Sequence, residues 1–147
     1  MKIADSIHID APIEKVFGVF TDLESASARI KAITKLEIID GPSSMQVGTK
    51  WRETRTLFGK EATEVMWVTE LVQNANYAVE AESHGTKYHS KYFFKQNGGA
   101  TDVEMVFEAE PVSTSARLMS FMGFLFAGAT KKALHKDLED LKAVCEK

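Results

Sequence analysis

Glu53 and Arg55 stand two positions apart in a run, Thr49 to Leu57, whose residues alternate in character. On an extended strand, side chains two apart share a face. Lys50 and Arg52 mark the outward face, which sends Trp51, Glu53, Arg55 and Leu57 inward. A carboxylate beside a guanidinium in an apolar interior needs partners. It could orient the polar end of a ligand or poise a general acid or base. The same two residues also suit an ion pair at a cavity mouth, where charged groups more often sit. If the chain catalyses a reaction, Glu53 and Arg55 are its candidate catalytic residues.

Aromatic donors form the second group. Lys87, Lys91 and Lys95 share one face of their strand, so Tyr88, Ser90, Tyr92 and Phe94 take the other. The same test turns Tyr77, Val79 and Ala81 inward, and on the last strand Val103, Met105 and Phe107. In the run from Glu61, Glu64 and Glu70 are read as outward, which places Val65, Trp67 and Leu71 inside. A one-residue error in any strand reverses its assignment. Tyrosine hydroxyls and an indole N–H could bind a ligand carbonyl, although a buried tyrosine often only satisfies its own hydroxyl.

A third group lies near the C-terminus. Met119, Phe121, Met122, Phe124, Leu125 and Phe126 crowd a stretch with almost no polar face. Adaptable methionines beside aromatics suit a changeable apolar pocket, and Met122 and Leu125 are the ligand-contact candidates there. Plain core, or a surface patch for a partner subunit or a membrane, explains the same residues. A homodimer through this helix is one such reading.

Other chemistries find little support. His8, His84, His89 and His135 do not converge, and no cysteine or carboxylate spacing completes a metal site. Gly98-Gly99 belongs to a hairpin turn, not to a phosphate-binding loop, and no nucleophile motif is present. We therefore expect no metal and no cofactor.

The elements that must position these residues follow from periodicity. Lys2 to Asp10 alternates as a half-buried strand, with Ile3, Ile7 and Ile9 on one face. Asp10-Ala11-Pro12 opens a helix whose face is Ile13, Val16, Phe17 and Phe20; a second short helix reaches about Arg29. Six strands follow. They run from Ile33 to Ile39, Thr49 to Leu57, Glu61 to Val72, Tyr77 to Glu82, Thr86 to Lys95 and Thr101 to Glu110. Short Gly- and Asn-rich turns join most of them and force antiparallel neighbours. The last element, Ser113 to Lys147, reads as one helix, with Leu134, Leu138, Leu141 and Cys145 as its buried stripe. Its charge-rich tail from Lys131 is read as a solvated face. Strands followed by a helix, without alternation, imply an α+β fold with the helix on one face of the sheet.

The 147 residues suit one domain, 1–147, with a real core. A net charge of −3 gives no electrostatic footprint for nucleic acid. The one cysteine fits a reducing compartment. The longest apolar run, Phe121 to Ala129, falls far short of a transmembrane span, and the run from Met1 to Asp5 is read as lacking the apolar stretch of a signal peptide. The expectation is a cytoplasmic protein.

The order of elements resembles the helix-grip fold of the SRPBCC superfamily, which includes START domains and pollen-allergen-like proteins. Within it the chain is similar to the bacterial polyketide cyclase/dehydrase-like group. The resemblance rests on Ile9-Asp10-Ala11-Pro12-Ile13-Glu14-Lys15-Val16-Phe17 at the first strand–helix junction. It rests further on Val47-Gly48-Thr49-Lys50-Trp51, on the Phe58-Gly59-Lys60 hairpin and on Val68-Thr69-Glu70-Leu71. It implies a seven-stranded antiparallel sheet wrapped around a long C-terminal helix, with two short helices after the first strand. It also implies a small apolar ligand between sheet and helix: a lipid, polyketide-like aromatic, isoprenoid or quinone. A cyclase/dehydrase-type enzyme using the same cavity, and an accessory module that binds proteins through the Phe/Met-rich helix, are the alternatives.

Overall fold

The computed structural model describes residues 1–57, 59–115 and 127–147. Seven strands form one antiparallel sheet: β1 (Lys2–Ile9), β2 (Ile33–Asp40), β3 (Lys50–Leu57), β4 (Lys60–Val72), β5 (Asn76–Ser83), β6 (Thr86–Asn97) and β7 (Ala100–Pro111). Their order across the sheet is β1-β7-β6-β5-β4-β3-β2. The two edges, β1 and β2, are consecutive strands in the chain. Two short helices, α1 (Ile13–Phe20) and α2 (Ala26–Arg29), carry the chain from one edge to the other. The long C-terminal helix, α3 (Ala127–Cys145), lies against β1 and α1; residues 116–126 of the helix expected over 113–147 lie outside the described residues. This is the expected helix-grip architecture.

Local chemistry sets the turns. Ser83 pairs with Thr86, which leaves His84 and Gly85 as a two-residue loop. Both have positive φ, 50° and 74°. That is the mirror-image turn whose twist matches a hairpin, and it favours glycine at the second position. Pro12 caps α1 with an extended backbone and no side-chain hydrogen bond. The cap therefore falls just after Asp10-Ala11.

α1 and the sheet share an aromatic core. The Phe17 ring meets Phe94 edge-on at 5.1 Å, and Phe20 meets Phe94 at 5.3 Å. Tyr77 and Tyr92, cross-strand partners on β5 and β6, stack at 4.8 Å. Such contacts add about 1 kcal/mol each beyond area burial. The α3 stripe behaves as its spacing predicts: Leu138, Leu141 and Cys145 are buried and Leu134 is half-buried.

Two expectations need correction. The α3 tail is not simply a solvated face, because Asp137 and Asp140 are buried. Asp140 Oδ2 accepts a hydrogen bond from the Lys31 backbone N–H at 3.0 Å and ties α3 to the chain entering β2. On β4, the inward set is Ala62, Glu64, Met66 and Val68, so Val65 and Trp67 point the other way. The cause is a register shift between Val68 and Glu70 in the pairing with β5. A bulge adds one residue and reverses parity beyond it. Leu71 therefore packs inside as expected, while Glu64 and Glu70 do not share a face.

Candidate functional site

Between the sheet and α3 lies a cavity of about 280 Å³. Each wall follows from a periodicity. β3 contributes Trp51, Glu53, Arg55 and Leu57 at period two, and α3 contributes Thr130, Ala133, Leu134, Asp137, Leu138 and Leu141 at helical spacing. β5 and β6 add Tyr77, Val79, Tyr88, Ser90 and Tyr92, and β7 adds Phe107. Most of this lining is apolar. Met105 faces the same side of the sheet but is packed in the core and does not reach the cavity. Trp67 lies outside, in a smaller groove with Glu80, Lys87 and His89. Met122 and Leu125 lie outside the described residues, as does the rest of the Phe/Met cluster.

The polar part of the cavity centres on Arg55. Its Nε donates to Glu53 Oε2 at 3.1 Å, and its Nη1 donates to Asp137 Oδ2 at 2.9 Å. The indole Nε1 of Trp51 donates to Glu53 Oε1 at 3.4 Å. Both carboxylates are buried; 18% of the Arg55 side chain remains exposed. Asp137 joins the cluster from α3, 82 positions along the chain from Arg55. The sequence reading missed it by treating the tail as one polar block. The available signal was its position three after Leu134 and four before Leu141, inside the apolar stripe.

One guanidinium thus faces two buried carboxylates. Burial alone would lower the Arg55 pKa, but Asp137 and Glu53 outweigh it and hold the guanidinium more firmly charged than in water. Burial raises the Asp137 carboxyl above its ordinary range; the pull of Arg55 only partly offsets this, and Glu53 adds to the rise. Asp137 Oδ1 is buried with no hydrogen-bond partner among the described residues. Burial also pushes up the hydroxyls of Tyr77 and Tyr92, reinforced for Tyr92 by Asp137 and for Tyr77 by Tyr92 itself. Both phenols stay protonated and can donate.

Across the β3–β4 pair, Glu64 stands directly opposite Glu53 and also lines the cavity. Glu80 borders the cavity too, but its carboxylate turns to the outer face and meets His89 Nδ1 at 3.0 Å. No group of three or more metal-ligating side chains occurs among the described residues. No described helix is long and apolar enough to cross a membrane.

Known structures share this arrangement. The Thermus thermophilus protein TTHA0849 superposes with a TM-score of 0.80 at 17% identity, over 97% of this chain and 95% of its own. The di-domain ARO/CYC StfQ from the steffimycin biosynthetic pathway matches with a TM-score of 0.79 at 9% identity. That match covers 99% of this chain and 50% of StfQ. A START superfamily protein from Mycobacterium smegmatis matches with a TM-score of 0.72 at 16% identity, over 94% of both chains. At such identities the likeness concerns the fold alone. No curated protein matches the sequence closely enough to transfer a role. The family model described as polyketide cyclase / dehydrase and lipid transport matches residues 1–146, and the chain belongs to that family.

Proposed function

We propose that residues 1–147 form one ligand-binding unit that holds a small, mainly apolar molecule between the sheet and α3. The observation that carries this reading is the cavity itself: apolar walls with one compact polar cluster, Glu53–Arg55–Asp137. Ligand sites commonly combine an apolar lining with a few fixed polar groups, and their volumes start at about 300 Å³. A lipid tail, an isoprenoid, a quinone or a polyketide-like aromatic suits such walls. The family description, which joins lipid transport to cyclase and dehydrase activity, supports the same range. The rigid aromatic side, Tyr77 stacked on Tyr92 with Phe20 edge-on at 6.2 Å, favours a flat ring system.

A second reading, catalysis of the cyclase/dehydrase type, has one specific observation behind it. Asp137 is a buried carboxyl held above its ordinary range beside a guanidinium and the Tyr92 hydroxyl. A carboxyl whose pKa is raised by burial is a better proton donor partner than an ordinary surface carboxylate. In this reading Asp137 suits proton transfer better than Glu53, whose two oxygens are engaged by Trp51 and Arg55.

Native mass spectrometry of the protein as purified from cells, followed by organic extraction, tests the binding reading. An apolar species of defined mass that co-purifies with the folded chain is expected. A ligand-free protein that also fails to bind hydrophobic probes would refute the reading.

A further inference from the structure

The charges around the cavity restrict what its occupant can be. Among the described residues that line it, Arg55 is the sole cation, and it is engaged on both sides by Glu53 and Asp137. The cluster therefore offers no unneutralised positive charge. Two features add negative character. Glu64 stands directly opposite Glu53 on the same face of the β3–β4 pair, an arrangement that costs stability. Asp137 keeps one oxygen without a hydrogen-bond partner among the described residues. In a low-dielectric cavity, an incoming carboxylate, sulfate or phosphate would meet three acidic side chains and a guanidinium already satisfied. A neutral hydroxyl or an ammonium would meet acceptors.

We infer that the cavity discriminates by charge, taking apolar ligands whose polar end is a neutral hydroxyl or phenol, or a protonated amine, and excluding anionic amphiphiles such as fatty acids. The inference rests on the proposed ligand-binding role and specifies its substrate class. It removes free fatty acids and acidic lipids from the candidates and keeps phenolic polyketides, alcohols of isoprenoid type and hydrophobic amines. Exclusion works through repulsion as much as through attraction for the right partner.

The test uses one ring system with three polar ends: 2-naphthol, 2-naphthylmethylamine and 2-naphthoate, titrated into the whole protein at pH 7 by isothermal calorimetry. Naphthol and the amine are expected to bind at least about tenfold more tightly than naphthoate. In Asp137→Asn, which frees one side of the guanidinium, that gap should narrow by about tenfold, mainly through gained naphthoate affinity. Glu64→Gln lies outside the Arg55 cluster and provides an independent variant. Its naphthoate affinity should rise roughly threefold relative to its naphthol affinity. Naphthoate binding as tightly as naphthol to the unaltered protein would overturn the charge rule and leave the cavity reading intact. No binding of any of the three would overturn the cavity reading, and the inference with it.

Discussion

Arg55 Nη1 lies 2.9 Å from Asp137 Oδ2, and through this bond the C-terminal half of β3 is fastened to the middle of α3 across the cavity. The same guanidinium holds Glu53 on its own strand. Breaking a buried pair by deleting one partner is far more damaging than replacing the whole set, because the remaining charge is stranded.

Arg55→Met should therefore destabilise the protein by about 3 kcal/mol at pH 7, since it strands two carboxylates. Adding Asp137→Asn and Glu53→Gln to it should restore most of that loss. Arg55→Lys should fall between, because an ammonium cannot fork to both carboxylates as a guanidinium does. Urea denaturation of the parent and these variants measures this. A cost for Arg55→Met below about 1 kcal/mol would mean that the cluster is well hydrated.

The raised Asp137 carboxyl has a pH signature. In the folded protein it keeps its proton to a higher pH than in the unfolded chain, so the folded state binds more protons in the window above the ordinary carboxylate range. Stability then falls as pH rises through that window. Asp137→Asn removes this contribution. The stability of the variant relative to the parent should rise with pH from the ordinary carboxylate range upward and level off once Asp137 is ionised. Urea midpoints taken from pH 4 to pH 8 read the difference; a flat or falling difference contradicts the assignment.

Trp51 and Trp67 lie on opposite faces of the sheet, one in the cavity wall and one over the outer groove. An apolar ligand in the cavity should change the emission of Trp67→Phe, which keeps Trp51. It should leave Trp51→Phe, which keeps Trp67, essentially unchanged. Fluorescence titration of both variants with 2-naphthylmethylamine separates the two sites. A response carried by Trp67 would place the ligand in the outer groove.

The sequence disclosed the parity of β3 because Lys50 and Arg52 stand unambiguously outside, and with it the shared face of Trp51, Glu53 and Arg55. β4 was harder to read. Both of its faces mix apolar and charged residues: Glu61, Thr63, Val65 and Trp67 on one, Ala62, Glu64 and Met66 on the other. Reading Glu64 and Glu70 as neighbours on one face assumed an unbroken period, and the bulge between them violates it. Nothing local announces that bulge, since no glycine or proline marks it. The Asp137 contact depends on how α3 lies across the sheet. That is a tertiary relationship, and helical periodicity shows only that the residue falls within the apolar stripe. The succession of elements was legible because hairpin turns and period switches are encoded within a few residues.

The central claim is that the space between sheet and α3 is a binding site. Two-dimensional NMR of the isotope-labelled protein during titration with 2-naphthylmethylamine tests it most directly. Saturable shifts are predicted at the Trp51 indole N–H, the Arg55 Nε–H and the amides of Val79, Ser90 and Leu134, all residues that line the cavity. Signals of Lys87, His89 and the Trp67 indole on the outer face should stay still. Shifts confined to that outer groove, with the Trp51 and Arg55 signals unmoved, would contradict the claim.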